Sequence, residues 1–170
     1  GVLSIVDIAK DKNIEIIFNT EEEEIITAID EEKIVRVILI LLSNSIKFSK
    51  EKGDICVEMR REDEEVVIKV TDNGIGINED MKEKIFDKFK RVQSVSNLNV
   101  DHEGSGLGLY IAKGFIELHN GSISVVSEVE KGSTFIITIP IVIIKNDLHN
   151  INHMDEDELN RIIKIELSDL

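Results

Sequence analysis

The chain has 170 residues, of which 42% are hydrophobic and 32% are charged, and this is enough to bury the core of one domain without metal or disulfide support. Its net charge of −14, from 34 acidic and 20 basic residues, speaks against a nucleic-acid partner, because phosphate backbones are bound by clusters of Lys and Arg. No run approaches the roughly eighteen apolar residues of a membrane span and no signal peptide opens the sequence, so we expect no membrane contact by this segment.

Hydrophobic periodicity predicts a mixed sheet with helices on one face. The segment from Glu31 to Phe48 contains neither Gly nor Pro, and Asp30 can cap its start. Cys56, the only cysteine, lies in an alternating run and is predicted to be a small strand residue rather than a metal ligand. In chain order the predicted elements are strands at 14–18 and 25–28 around an acidic turn, a helix at 31–48, an antiparallel pair of strands at 55–59 and 66–70, helices at 81–89 and 107–118, and strands at 122–127 and 134–139 that end at Pro140.

Two glycine-rich loops suit opposite ends of one nucleotide. In the first, at 72–77, Gly74 and Gly76 can take positive φ and approach a flat ligand, while the carboxylate of Asp72 can accept a hydrogen bond from the exocyclic amine of adenine. In the second, at 104–109, three glycines leave backbone N–H groups free to converge on phosphate oxygens just before a helix. Either loop alone would be a weak signal, because a single G-x-G more often marks a turn.

Three further motifs accompany these loops, at 41–49 (Leu-Leu-Ser-Asn-Ser-Ile-Lys-Phe-Ser), 85–91 and 132–135. The five together, in this order, resemble the N box, F box and glycine-rich boxes in the ATP-binding catalytic domain of bacterial sensor histidine kinases. That family lies within the superfamily of the gyrase, mismatch-repair and chaperone ATPases. The resemblance implies an α+β fold, a two-layer α/β sandwich whose mixed, mostly antiparallel sheet is covered on one face by about three helices. It also implies an ATP lid at 93–103, a catalytic domain at 1–140 and a C-terminal extension of unknown role at 141–170.

The resemblance implies a role for each matched residue. Asn44 would coordinate a Mg²⁺ ion that bridges the ATP phosphates, since an amide oxygen is a hard ligand. Lys47 and Arg91 would be the catalytic residues, neutralising phosphate charge and stabilising the transferred phosphoryl group. Thr134 would help to hold adenine through water. The full set implied for ATP is Asn44, Lys47, Phe48, Asp72, Gly74, Gly76, Ile77, Ile85, Gly104, Ser105, Gly106, Leu107, Gly108, Leu109 and Thr134.

Several of these residues also have ordinary structural interpretations. Judged from local sequence alone, Lys47 and Arg91 could be solvated surface cations, and Thr134 could be a strand residue without a ligand. Phe86 and Phe89 are predicted to be packing residues, and the resemblance implies that they couple the lid to the helices that carry the acceptor histidine.

Ile40 departs from the family pattern. Four residues before Asn44, most kinases have Asn and the hydrolysing relatives have an acid that activates water, and a residue at this spacing shares a helix face with Asn44. The missing acid speaks against a gyrase-like or chaperone-like ATP hydrolase. The missing Asn predicts a domain that binds Mg-ATP but transfers phosphate less efficiently than a typical relative.

The sequence offers no recognisable phosphoacceptor histidine. His102 lies in the predicted lid, His119 follows a helix, and His149 and His153 lie in a polar tail, so each is predicted to be a surface or turn residue. We therefore expect the donor half of a phosphoryl transfer that uses ATP and Mg²⁺. The expected partners are a histidine-bearing dimerisation domain of the same parent protein and a downstream response regulator, with no nucleic acid.

Two further interpretations stay open. The first is a degenerate ATP-binding module that switches a partner through its lid without efficient transfer, and the second is a serine kinase of the anti-sigma-factor type, which the form of the F box makes less suitable. We expect a cytoplasmic location, although a longer parent protein could be anchored in the plasma membrane. In the tail, the β-like run at 162–167 could pair with a sheet edge, and a metal site at His149, His153 and Asp155 has only its residue types in its favour.

Overall fold

A computed structural model describes residues 5–20, 24–50, 52–89 and 106–143. The predicted lid at 93–103, the acidic turn at 21–23 and the tail from 144 onward lie outside these residues. The elements are α1 (Ile5–Asp11), β1 (Glu15–Thr20), α2 (Glu31–Phe48), β2 (Asp54–Glu62), β3 (Glu65–Asp72), α3 (Glu79–Lys82), a 3₁₀ turn (Lys84–Phe86), α4 (Gly108–Leu118), β4 (Ser122–Glu128) and β5 (Gly132–Pro140).

Five strands form one open sheet in the order β1-β2-β3-β5-β4. The β1–β2 pair is parallel and the other three pairs are antiparallel, so the predicted mixed and mostly antiparallel sheet is confirmed. The parallel pair arises because α2 lies between β1 and β2 in the chain, and a parallel pair needs such a crossover connection. The architecture is therefore the α+β fold predicted from the sequence.

Helix α2 is the main element packed on the sheet. The side chain of Asp30 accepts a hydrogen bond from the Lys33 N–H at 3.2 Å, so the predicted N-cap is confirmed. At the other end, the Lys12 ammonium donates to the carbonyl oxygens of Ile46 at 3.1 Å and Lys47 at 3.4 Å, which satisfies carbonyls that have no partner within the helix. The buried residues of α2 are Ile34, Val37, Leu39, Leu41, Leu42, Ser45 and Ile46.

The core lies between α2, α4 and one face of the sheet. Strand register places buried or half-buried apolar side chains side by side in rows across that face, because alternate residues of a strand share a face. One row contains Ile68, Ile137 and Ile123, and the next contains Val70, Phe135 and Val125. Two residues further along β3 and β5, the next row is polar.

Two predictions about elements are wrong, and one further element has no counterpart among the predictions. Residues 25–28 are not a strand, because the segment joins no ladder of the sheet that the described residues form; the Ala28 N–H instead donates to the Val142 carbonyl at 2.8 Å. The predicted helix at 81–89 is broken into α3 and a 3₁₀ turn, and Phe89 leaves helical geometry with φ of 61°. Helix α1 was not predicted, although its buried Ile5 and Ala9 have the i, i+4 spacing of a helix. The other predicted elements are confirmed, including the end of β5 at Pro140.

Candidate nucleotide-binding site

Asp72 ends β3 at the polar row of the sheet and is 7% exposed. Its Oδ1 accepts hydrogen bonds from the backbone N–H of Gly74 at 2.9 Å and of Ser133 at 3.3 Å. Its Oδ2 accepts a longer bond from the Ser45 hydroxyl at 3.4 Å. The carboxylate is thus held rigidly by one oxygen, while the other retains room to accept a stronger donor.

Burial governs the electrostatics of Asp72. Removal from water raises the pKa of its carboxyl, and the hydrogen bonds from Gly74, Ser133 and Ser45 offset this only in part. A desolvated carboxylate gains more from a well-placed donor than one that water already solvates. The position therefore suits recognition of an N–H donor on a ligand.

The two glycines of the first loop let backbone approach backbone. A Cβ on Gly74 would lie 2.3 Å from the Phe48 carbonyl oxygen, and one on Gly76 would lie 2.0 Å from that of Glu128. Gly76 has φ of 69°, as expected, but Gly74 does not adopt positive φ. The structure thus shows that glycine is required at both positions because other parts of the protein backbone pack closely there. The approach of a flat ligand is not needed to explain it.

The end of α2 brings the N-box residues to the same place. Ile75 donates its N–H to the Phe48 carbonyl at 3.1 Å, which joins the first glycine loop to the last turn of α2. The Lys47 ammonium lies 5.8 Å from the centroid of the Phe48 ring. Asn44 is half-buried, one residue before the Ser45 that bonds to Asp72. The structure therefore brings the end of α2 to the first glycine loop through Phe48 and to Asp72 through Ser45, and Asn44 and Lys47 lie on the last turns of the same helix.

The second glycine loop meets α2 where α4 begins. Gly106 has φ of 70° and accepts a hydrogen bond from the Phe89 N–H at 3.1 Å, and α4 starts at Gly108. A Cβ on Gly108 would lie 3.2 Å from Cγ2 of Ile40, so the residue that departs from the family pattern packs directly against the start of α4. Leu107 and Leu109 are half-buried beside it. Gly104, Ser105 and Arg91 lie outside the described residues.

Thr134 is not on the site face of the sheet. Its hydroxyl lies 3.1 Å from that of Thr71, and the pair occupies the face opposite Asp72, because neighbouring residues of a strand point in opposite directions. The prediction that Thr134 lines the adenine site is therefore corrected. Ser133 stands directly across from Asp72 on the site face and is 8% exposed. Alternation with the core residue Phe135 could have identified Ser133 from the sequence.

Ser127 is a second site residue that the sequence analysis missed. Its Oγ accepts the N–H of Ile77 at 2.9 Å, donates to the Gly132 carbonyl at 2.7 Å, and lies 2.9 Å from the Ser133 hydroxyl. It is 8% exposed and stands opposite Ser133 in the β4–β5 register. Ile77 is thereby fixed at the edge of the polar row, at the end of the first glycine loop.

The F-box side chains have different environments. Ile85 and Phe86 are buried, and the Phe86 ring packs edge-on against Phe135 with centroids 6.4 Å apart, which confirms Phe86 as a packing residue. Phe89 is 71% exposed, so its prediction as a packing residue is wrong within this domain. Ile85 lies in the core that supports the site.

His119 has a structural role. Its Nδ1 donates to the Phe115 carbonyl at 2.7 Å, and its Nε2 accepts the Asp30 N–H at 2.9 Å. The imidazole thus ties the end of α4 to the start of α2, at the opposite end of the sheet from Asp72, as a turn residue and not a nucleophile. His102, His149 and His153 lie outside the described residues.

Within residues 5–20, 24–50, 52–89 and 106–143, no three His, Cys, Asp or Glu side chains converge on a point where they could hold a metal ion. The side chain of Asn44 has one oxygen, which fits an ion that takes most of its ligands from phosphate and water. Among the same residues, no helix is both long and apolar enough to cross a membrane.

The fold and these residues together define the class as an ATP-binding α+β domain. Residues 29–143 match the family described as histidine kinase-, DNA gyrase B- and HSP90-like ATPases, and the chain belongs to that family. It is 35% identical to the sensor histidine kinase WalK of Bacillus subtilis over 79% of its own length and 22% of WalK. The resemblance to sensor histidine kinases is therefore confirmed.

Solved structures agree with this assignment. The catalytic domain of histidine kinase ThkA superposes with a TM-score of 0.68 at 29% identity, covering 81% of this chain and 90% of that one. Full-length ShkA in complex with AMPPNP gives a TM-score of 0.69 at 27% identity, covering 81% and 27%. ThkA in complex with the response regulator TrrA gives 0.64 at 30%, covering 79% and 36%. The chain thus spans about a fifth of WalK and about a quarter of the full-length ShkA chain.

Proposed function

We propose that this domain binds Mg-ATP and donates the γ-phosphate to a histidine on a separate dimerisation domain in two-component signalling. The observation that carries the proposal is the polar row at one sheet end, where Asp72 is held by Gly74 and Ser133 beside the N-box residues of α2. In the transfer, the bond between the γ-phosphorus and the β–γ bridging oxygen breaks, a bond from phosphorus to the acceptor imidazole nitrogen forms, and ADP leaves.

In this proposal, different residues bind the adenine base and the phosphates. Asp72 accepts a hydrogen bond from the adenine amine, and Ile77 and Phe48 flank the base. Backbone N–H groups at Gly106, Leu107 and Gly108 bind phosphate oxygens at the start of α4, where the helix dipole favours negative charge, and Leu109 supports them. By resemblance, Gly104 and Ser105 extend that cradle, and Arg91 stabilises the transferred group.

A cation completes the proposed site. Asn44 is the residue that would hold Mg²⁺ through its side-chain oxygen, and Lys47 on the same helix end would share in neutralising the phosphates. When bound, Mg²⁺ supplies charge neutralisation on the β- and γ-phosphate oxygens. The residues of this chain supply positioning, and a transfer of this kind needs little else from the protein.

The partners are also proposed. The match to the sensor histidine kinase WalK, of which the chain covers 22%, supports a domain that works within a longer protein. We propose that this protein also carries the acceptor histidine, that the domain lies in the cytoplasm, and that a response regulator receives the phosphate. The ThkA structure, which contains the response regulator TrrA, supports the last of these. In this proposal the catalytic unit comprises residues 1–140, with 141–170 as an extension.

The first test is calorimetric titration of the folded domain with Mg²⁺ and a non-hydrolysable ATP analogue. We expect binding that Asp72→Ala removes and that Asp54→Ala, a change at an exposed aspartate of β2, leaves intact. Radiolabelled γ-phosphate should then pass to a histidine-bearing domain added in trans. A folded domain that binds no analogue would contradict the proposal, and binding without any transfer would favour the switching module.

Ile40 gives a second test of the chemistry. Ile40 packs against the start of α4 and stands where most relatives have a polar residue near the phosphates. Ile40→Asn should therefore raise the rate of transfer. Ile38→Asn, on a half-buried residue elsewhere on α2, is the matched control. A transfer rate that does not rise in Ile40→Asn would show that the apolar residue is no handicap.

A further inference from the structure

Ser127 is fully engaged by the protein. A serine hydroxyl has one proton to donate and two lone pairs that can accept. The Gly132 carbonyl, 2.7 Å away, can only accept, so it takes the Ser127 proton. The Ile77 N–H at 2.9 Å can only donate, so it occupies one lone pair. The third neighbour, the Ser133 hydroxyl at 2.9 Å, must therefore be the donor in its contact with Ser127.

This assignment fixes what Ser133 can offer to a ligand. Its single proton is directed to Ser127, so its two lone pairs are what the hydroxyl of Ser133 can present to the site. Ser133 also donates its backbone N–H to Oδ1 of Asp72, which leaves Oδ2 of Asp72 as a second acceptor with only the 3.4 Å bond from Ser45. Two hydrogen-bond acceptors thus stand side by side across the β3–β5 pair.

We propose that Ser127 is a positioning residue that makes Ser133 an obligate acceptor and so sets the preference of the site for a 6-amino purine over a 6-oxo purine. The inference rests on the proposed nucleotide site but not on phosphate transfer. An exocyclic amine has two N–H groups and satisfies both acceptors, directly or through water. A carbonyl at the same place opposes lone pair to lone pair, and that mismatch is costly in a buried site.

The experiment compares two nucleotides on the folded domain. Kd is measured with Mg²⁺ for non-hydrolysable analogues of ATP and of inosine triphosphate, and the ratio of the two values is the readout. In Ser127→Ala the freed hydroxyl of Ser133 can turn and donate to the 6-oxo group, so the preference for the ATP analogue should fall roughly fivefold. Ser127→Thr keeps the hydroxyl and should restore the preference. Ser124→Ala, on an exposed serine of the same strand, should not change it.

The ratio of the two Kd values distinguishes orientation of the Ser133 hydroxyl by Ser127 from structural support of the site alone. Loss of the Ser127 hydroxyl also removes a hydrogen bond from the Ile77 N–H and one from the Gly132 carbonyl, which would weaken the binding of both nucleotides alike. Equal weakening with an unchanged ratio would overturn the inference. If Ser127→Ala does not fold, Ser133→Ala decides the matter, since it too should lower the preference, and an unchanged ratio there would overturn the inference as well. An unmutated domain that binds neither analogue would overturn the proposed function, and the inference with it.

Discussion

The two ends of the same strands differ sharply in chemistry. At one end of the site face, Asp72, Ser133 and Ser127 form a buried row joined by hydrogen bonds. Two residues further along, Val70, Phe135 and Val125 form an apolar row, and Ile68, Ile137 and Ile123 form the next. The difference shows that one face of the sheet has two kinds of surface, since the apolar rows stabilise the fold and the polar row at the strand ends forms the candidate nucleotide site.

The largest effect on stability should come from the apolar rows. Ile137 is 0% exposed, so Ile137→Ala should lower the free energy of unfolding by about 3 kcal/mol through lost burial and a cavity. The matched change Ile136→Ala, at a half-buried neighbour on the other face, should cost clearly less. Urea unfolding followed by circular dichroism measures both. Equal losses at the two positions would contradict the assignment of the core face.

A change in the polar row should affect nucleotide binding more than stability. Asp72→Ala should weaken binding of an ATP analogue by on the order of 100-fold, because a charge-assisted hydrogen bond in a buried site is lost. Its effect on the free energy of unfolding should be smaller than that of Ile137→Ala, since the change also removes a desolvated carboxylate. Titration calorimetry and urea unfolding on the same sample test the two halves. An Asp72→Ala variant that loses stability but binds the ATP analogue normally when folded would contradict the contrast between the polar and the apolar rows.

Because the pKa of Asp72 is raised, its contributions to stability and to nucleotide affinity should both depend on pH. Between its unfolded and folded pKa values the folded chain holds a proton that the unfolded chain releases, so this group contributes stability at low pH that is lost as pH rises through the folded pKa. Asp72→Asn should remove that contribution. Relative to this variant, the unmutated domain should gain stability as pH falls from neutral into that window, while its nucleotide affinity falls. Urea midpoints and Kd values measured over a pH series test this prediction. The same pH dependence in the unmutated domain and in Asp72→Asn would contradict it.

The smallest of these effects concerns the end of α2. Lys12→Met should lower the free energy of unfolding by about 1 kcal/mol, because the carbonyls of Ile46 and Lys47 lose their cationic cap. Lys10→Met, at an exposed lysine of α1, is the control and should be close to neutral. Thermal unfolding compares them. A Lys10 variant as unstable as the Lys12 variant would point to a general charge effect.

The sequence predicted those elements that have strong local signals. Helix α2 has a cap and an uninterrupted apolar stripe, and the pairs β2–β3 and β4–β5 have alternation and turns, so their positions followed from local chemistry. Residues 25–28 have β-favouring composition but pair with none of the strands that the structure describes, and a strand needs a partner as well as propensity. Phe89 was misjudged because apolarity does not reveal which side chains stay outside the core.

The candidate site was predicted in its general location but not in its details. The order of the motifs placed Asp72 and the N box correctly together, whereas the resemblance implied Thr134, and strand alternation puts Ser133 rather than Thr134 on the face of Asp72. Ser127 has no distinguishing local pattern, since its role depends on a register that joins it to Ser133 and Ile77. For the glycines, the sequence indicated close approach but could not say that the approaching atoms belong to Phe48 and Glu128.

Lys12 also gives the domain a mechanical linkage. It follows α1 directly, holds the last carbonyls of α2 through its ammonium group, and accepts the Lys52 N–H at 3.3 Å through its own carbonyl. A movement of α1 would therefore pull on the turn that carries Lys47 and Phe48 without crossing any strand of the sheet. Lys12 therefore adds a direct connection between α1 and the end of α2 at the candidate nucleotide site to the packing of the buried Ile5 and Ala9 in the core that α2 shares.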